Sequence, residues 1–277
     1  MSNRKEDIKK IMEFAHDMRP MALEMAKNAG KGGSHIGGSY SSFEIMATLY
    51  GGVLRYDVKN PEWDERDRFL PSKNHCYLAQ YPALCKAGFI KEEDLITYHQ
   101  NGSDLVGYPW NVKLGLELCG GALGLGLGVG VGMALTAKRF NKNYKVYVLL
   151  GDGECNEGSV WEAFMSAAHF KLDNLIAIVD YNNMQFDGVN DDVMSVAPMA
   201  DKLKSFGWEV VEANGHNVEE LYDAFLSSHQ GKPLAIVAHT IKAHGIPSLE
   251  NKPESHHADL SNEDYELILK DIQEGEL

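Results

Sequence analysis

Gly151-Asp152-Gly153, with Asn182 thirty positions after Asp152, is the part of this sequence best suited to chemistry. Residues 144–150 form a continuous apolar run bounded by glycine, as a strand buried on both faces would be. Gly-Asp-Gly follows at its carboxyl end, where open α/β sheets place ligands. The two glycines let the backbone turn sharply and approach a ligand, while Asp152 projects an oxygen into the crevice. A second apolar run, 175–179, ends at Asp180-Tyr181-Asn182-Asn183 and delivers an amide oxygen at a neighbouring carboxyl end. One carboxylate, one amide oxygen, a backbone carbonyl and two phosphate oxygens would supply five positions of an octahedral oxygen shell for Mg²⁺. The helix that begins near Ser159 offers free N–H groups and a positive dipole end, which suit a phosphate. Gly-Asp-Gly alone is equally a turn, so the spacing of the whole block carries the reading.

These side chains need a frame of alternating strands and helices. Residues 159–170 read as a helix with Val160, Phe164, Ala167 and Ala168 on one face, and 208–211 and 234–238 read as buried strands. A helix over 218–227 separates the last two. The pattern predicts the α/β class, a mostly parallel sheet with helices on both faces, in a single domain over 1–277. Toward the N-terminus, residues 5–28 have a helical repeat interrupted at Pro20, followed by a glycine-rich loop over 30–38. Ser41 with Glu44 has capping-box spacing before Ile45, Met46 and Leu49. Residues 67–70 predict a short strand running into Pro71-Ser72-Lys73-Asn74-His75, with a helix over 76–86. Over 120–132, Leu123, Leu125, Leu127, Val129 and Val131 alternate with glycines, and that period predicts a strand. The same glycines recur at four-residue spacing, which would give a helix one flat face at roughly 1 kcal/mol per glycine.

Composition narrows the class of function. With 277 residues and 44% hydrophobic side chains the chain can fill a large core. A net charge of −14 argues against bare nucleic acid as a partner, because phosphate neutralisation needs clustered Lys and Arg. Cys76, Cys85, Cys119 and Cys155 have no CxxC spacing and read as reduced thiols, and the N-terminal segment lacks a signal-peptide core. The most apolar stretch, 114–135, is glycine-rich and contains Glu117, so no membrane helix is expected and the expected location is cytoplasmic.

The block GDGECNEGSVWEAFMSAAHFKLDNLIAIVDYNN resembles the thiamine diphosphate signature and is most similar to transketolase at Glu157-Gly158, Ala163 and the Leu172-Asn174-Leu175 run. Further matches cover nearly the whole chain. Gly33-Ser34-His35-Ile36-Gly37 looks like the N-terminal GHPG motif, Arg66 to His75 like RDRFxLSKGH, Gly115 to Met133 like GxE…TGxLGQG, and Glu250 to His256 like ENKxxWHG. The glycine segment is helical in that family, so the resemblance implies a helix where periodicity predicts a strand. It also implies thiamine diphosphate and Mg²⁺ (or Ca²⁺ or Mn²⁺) as cofactors, with Asp152, Asn182 and the Met184 carbonyl as metal ligands. Gly121, Leu123, Gly151, Asp152, Gly153, Glu154, Asn182, His75 and His256 would hold the cofactor. His35, His75, His256, Tyr108 and Glu157 would serve catalysis, the imidazoles through phosphate oxygens and sugar hydroxyls.

The sequence departs from the family pattern on the donor side. Tyr108 stands for a histidine in Gly-His-Pro, Leu125 for the glutamine of LGQG, Asn74 for a glycine, and Ala243-His244-Gly245 for GKG. An altered ketose or ketose phosphate donor is therefore expected. The glutamate that activates the cofactor belongs to a pyrimidine-binding domain, which by resemblance is expected with the C-terminal domain on a separate partner chain. The implied protein is the N-terminal subunit of a split transketolase, an α₂β₂ assembly acting on sugar phosphates. Alternatives are a 1-deoxyxylulose-5-phosphate synthase-like or 2-oxo acid dehydrogenase-like subunit, or a non-catalytic assembly subunit. Dinucleotide binding through Gly124-x-Gly126-x-Gly128 lacks the strand and acidic residue its fingerprint requires.

Overall fold

A computed structural model describes residues 4–274. Helices α1 (Arg4–Ala29), α2 (Ile36–Tyr40) and α3 (Phe43–Thr48) precede strand β1 (Arg68–Pro71) and helix α4 (Tyr77–Ala87). Helix α5 (Gly126–Arg139) leads into β2 (Val146–Gly151), α6 (Gly158–His169) and β3 (Leu175–Tyr181). The short α7 (Asn190–Val193), α8 (Met199–Ser205), β4 (Glu209–Asn214), α9 (Val218–Phe225), β5 (Leu234–His239) and α10 (Asn262–Glu274) complete the chain order.

The five strands form one sheet in the order β1-β2-β3-β5-β4, and every pairing is parallel. Alternate side chains of each buried strand serve opposite faces. Tyr147, Leu149, Ile176, Ile178 and Ile236 pack toward α1, α3, α4 and α9, whereas Val146, Val148, Leu150, Ala177, Val179 and Val237 pack toward α5, α6 and α8. Both faces are covered, which is why the strands read as unbroken apolar runs. Because all strands point the same way, the loops after β1, β2, β3 and β5 open on one edge of the sheet.

The strand expected over 120–132 is a helix from Gly126 onward. A Cβ on Gly126 would lie 2.5 Å from Ser72 Oγ, and one on Gly130 would lie 2.6 Å from Val148 Cγ2. Those two glycines let α5 settle onto the sheet, while Gly128 and Gly132 face open space. Alternation here reports two opposite faces of a helix that each lack side chains. Gly128→Ala is expected to raise stability by about 0.5–1 kcal/mol, and Gly130→Ala to lower it by about 1–3 kcal/mol through overpacking. Urea denaturation midpoints check this, and shifts of the same sign in both variants would refute the packing argument.

Three smaller expectations also change. Helix α1 continues through Pro20, where buried Met18, Arg19, Ala22 and Leu23 anchor the turns on either side of the missing hydrogen bond. The loop expected over 30–38 folds into a 3₁₀ turn, Gly30–Gly32, and the start of α2. Ser41 and Glu44 form no capping box. Ser41 Oγ donates to Asp180 Oδ2 at 2.6 Å, Glu44 pairs with Arg19 and His216, and the N-cap of α3 is Ser42. Tertiary partners have taken the local capping groups. Among the described residues, no helix is long and apolar enough to cross a membrane.

Candidate functional site

Gly151, the last residue of β2, pairs with Asp180 of β3, so the two predicted ligand segments leave the sheet side by side. Asp152 is 2% exposed; its Oδ1 accepts from Gly153 N at 2.7 Å and its Oδ2 from Asn183 N. Asn183 adopts a left-handed backbone (φ 57°), which asparagine tolerates. Asn182 Oδ1 accepts from Met184 N at 3.1 Å. A Cβ on Gly153 would sit 2.6 Å from Gln185 Cβ, so this glycine lets the two turns close on each other. Burial and the nearby Asp180 push the Asp152 carboxyl up to about 7. A buried carboxylate held at such a cost fits a bound cation. Among the described residues no three His, Cys, Asp or Glu side chains converge as a metal cluster. A cation here would therefore rest on Asp152, Asn182 and a backbone carbonyl, completed by phosphate oxygens.

A cavity of about 310 Å³ opens above these turns. Its lining includes His75, Leu123, Gly151, Asp152, Gly153, Glu154, Glu157, Asn182, Met184 and His256. His35 lies at its edge, with ring centroids 5.3 Å from His75 and 5.5 Å from His256, and those two are 5.0 Å apart. Tyr108 and Gly121 lie outside the cavity, the glycine against the tyrosine ring (Cβ position 3.5 Å from Cγ). Glu154 is 3% exposed and fully engaged: Ser72 Oγ and Gly124 N donate to Oε1, and Gly151 N donates to Oε2 at 3.1 Å. It braces the Leu123-Gly124 loop against the Gly-Asp-Gly turn. A larger surface groove of about 530 Å³ borders α1 between Asp17 and Asn28. It lies away from the strand ends and gathers no glycine turn, so the smaller cavity is the site.

Two lysines that sequence reasoning left unassigned lie beneath it. Lys73 is 2% exposed and donates to Gly38 O at 2.7 Å and to Asp180 Oδ2. Burial would raise the Asp180 carboxyl, yet Lys73, Ser41 and Thr240 together hold it below the usual range. Lys242, also 2% exposed, reaches Gln185 O at 3.1 Å and His256 Nδ1 at 3.3 Å. Burial, with the Lys73 charge, lowers Lys242 to about 8, so it remains mostly cationic at neutral pH. Burial also lowers His35 to about 4 and His256 to about 3, and takes His75 well down. The floor thus combines two ammonium groups with three neutral imidazoles, a set suited to phosphate oxygens and hydroxyls. Lys242 has no local motif to announce it; its place just after β5 was the available signal.

The thiamine diphosphate binding domain of transketolase matches residues 11–272. The chain belongs to the transketolase family. A Phocaeicola vulgatus relative, one subunit of an apulose-4-phosphate transketolase, is 40% identical over 258 residues, covering 92% of this chain and 91% of the relative. A 6-deoxy-6-sulfo-D-fructose transketolase subunit of a Clostridium species is 37% identical, covering 95% and 96%. Human transketolase is 37% identical, but the match spans 42% of its length. The crystal structure of Campylobacter jejuni transketolase superposes with a TM-score of 0.88 at 30% identity, covering 96% of this chain and 43% of that one. The fold is the thiamine diphosphate-binding fold, as the motifs imply.

The family departures now have positions. Asn74 Nδ2 donates to Leu118 O at 3.3 Å and fills the space beside Gly120. Tyr108 is 39% exposed with φ 62°, and Leu125, 58% exposed, caps α5 outside the cavity. Ala243 takes a left-handed backbone (φ 57°) and donates its N–H to Gly37 O at 3.0 Å. A further departure passed unnoticed in the sequence: His257 stands where the ENKxxWHG pattern has glycine.

Proposed function

We propose that this chain is the diphosphate- and metal-binding subunit of a two-chain, thiamine diphosphate-dependent transketolase that moves a two-carbon ketol unit from a ketose or ketose phosphate to an aldose. The arrangement that carries the reading is Asp152 beside Asn182 at adjacent strand ends, above Lys73 and Lys242 and facing His75 and His256. Asp152, Asn182 and the Met184 carbonyl would hold Mg²⁺, with Ca²⁺ or Mn²⁺ as substitutes, while Lys242, His75, His256 and the Gly151–Gly153 turn bind the diphosphate and Leu123 borders it; Gly121, outside the cavity, packs on Tyr108 instead. When bound, thiamine diphosphate supplies the nucleophilic carbon that carries the ketol unit. His35, His75 and His256, uncharged at neutral pH, donate hydrogen bonds and pass protons at the substrate hydroxyls. Glu157, on the cavity wall, faces the partner that brings the activating glutamate.

The whole of 1–277 acts in this reading as one diphosphate-binding domain, cytoplasmic and assembled as α₂β₂. Phe186, which lines the cavity, is 66% exposed. Such aromatic exposure near a site suits a covering partner chain. Titration calorimetry of thiamine diphosphate with Mg²⁺ tests the proposal. Affinity is expected to rise at least tenfold when a pyrimidine-domain partner is added, about 1.4 kcal/mol or more. Equal affinity with and without an associating partner would sink the two-chain reading.

A further inference from the structure

We propose that His257, together with His99 and Tyr108, reads hydroxyl groups of an open-chain sugar at the end of the site remote from the diphosphate cavity. The inference rests on the ketol-transfer reading of the same site and goes on to assign its substrate wall.

The backbone builds this wall deliberately. Ser34 and Ala258 form an isolated antiparallel bridge, each donating to the other's carbonyl at 3.0 Å. That register places residue 35 opposite residue 257 on one face. Their rings accordingly meet edge to face with centroids 4.7 Å apart. Gly33, next in the register, supplies the room: a Cβ there would lie 2.8 Å from His257 Cε1, and its φ is +64°. His257 itself is exposed, as a ligand-facing group must be.

Tied to His35 through Tyr77 are two residues held in left-handed backbone, His99 (φ 59°) and Tyr108 (φ 62°). Histidine tolerates this region, but a tyrosine seldom enters it, and such strain gathers at functional sites. His99 is fixed by its N–H to Leu105 O at 3.0 Å and by stacking on Tyr98 at 4.0 Å. Tyr77 ties the group together: its hydroxyl is 3.4 Å from His35 Nδ1, and its ring lies 6.0 Å from Tyr108 and 6.1 Å from His99. Burial, more than any neighbour, keeps His35 and His99 uncharged at neutral pH. The imidazoles and phenols of this wall offer paired donors and acceptors, which match sugar hydroxyls.

His257→Gly and His257→Gln in the assembled two-chain enzyme test the assignment. The donors are hydroxypyruvate, which lacks distal hydroxyls, and D-xylulose 5-phosphate or D-fructose 6-phosphate, which have them. His257→Gly is expected to raise KM for the longer ketoses roughly threefold to tenfold, the worth of one neutral hydrogen bond. KM for hydroxypyruvate, kcat and thiamine diphosphate affinity should stay within about twofold. His257→Gln should recover part of the loss. Equal changes for short and long donors, or none, would overturn the proposal. Failure of the wild type to turn over any donor would refute ketol transfer instead. In that event saturation-transfer NMR of the two ketose phosphates reads the wall directly. Weaker transfer in His257→Gly supports it, while equal transfer, or none to the wild type, overturns it.

Discussion

Asp152→Asn is expected to weaken Mg²⁺-dependent thiamine diphosphate binding by more than about 100-fold, beyond the 10–100-fold typical of changes to outer-shell partners of a metal. The same substitution is expected to stabilise the metal-free chain at alkaline pH. Asp152 is 2% exposed, and burial with the nearby Asp180 pushes its carboxyl up to about 7. A carboxyl raised on folding favours the folded state below its unfolded value, near 4, and loses that advantage as pH rises through 7. Above pH 7 the wild type must bury an ionised group, whereas the amide carries no charge. Removing the charge should be worth a few kcal/mol at pH 8, since each tenfold change in proton affinity corresponds to about 1.4 kcal/mol, less about 1–3 kcal/mol because the amide nitrogen cannot accept from Gly153 N or Asn183 N; the charge-dependent part should vanish below about pH 4. Thermal melts of both proteins in chelator across pH 4–8 measure it. A variant that is less stable than wild type at pH 8 would mean the carboxylate is compensated by something other than a cation.

Lys73→Met is expected to cost about 3–5 kcal/mol, the range for removing one partner of a buried ion pair. Lys73 and Asp180 are 2% and 0% exposed. Without the ammonium, Asp180 keeps only the hydroxyls of Ser41, Ser42 and Thr240 as side-chain donors. Adding Asp180→Asn should restore much of the loss, because replacing both charges removes the uncompensated one. A double-mutant cycle by urea denaturation checks the coupling. A single-variant loss under about 1 kcal/mol, at the scale of exposed pairs, would show that water reaches this pair. The pair joins the loop after β1 to the carboxyl end of β3, so its loss should also loosen the Asp152 and Asn182 turns above it.

The sheet and the pairing of the Gly-Asp-Gly turn with the Asn182 turn were legible because each depends on local pattern. The runs 144–150 and 175–179 fall within one residue or two of β2 and β3, and their boundaries deliver Asp152 and Asn182 side by side. What escaped depends on distant partners. Gly126 and Gly130 belong to a helix because Ser72 and Val148 press against them, a fact their own spacing does not contain. The family resemblance corrected the strand reading there; periodicity did not. Ser41 and Glu44 have the spacing of a cap, yet Asp180, 139 positions away from Ser41, and Arg19 claim them. Lys242 and His257 have no local signature, since each acquires its role only when the chain returns to the site after β5.

The bridge between Ser34 and Ala258 has a consequence for how the site comes into being. Asp152 and Asn183 are 31 positions apart, whereas the bridge joins residues whose separation is 258 − 34 = 224. Closing the longer loop costs roughly 1.7 kcal/mol more in chain entropy by itself, from the logarithmic dependence on loop length, and two hydrogen bonds are a modest return. The diphosphate end of the site is thus a local product of the central strands. The sugar wall is a late, high-contact-order addition that waits for the chain's two ends to meet.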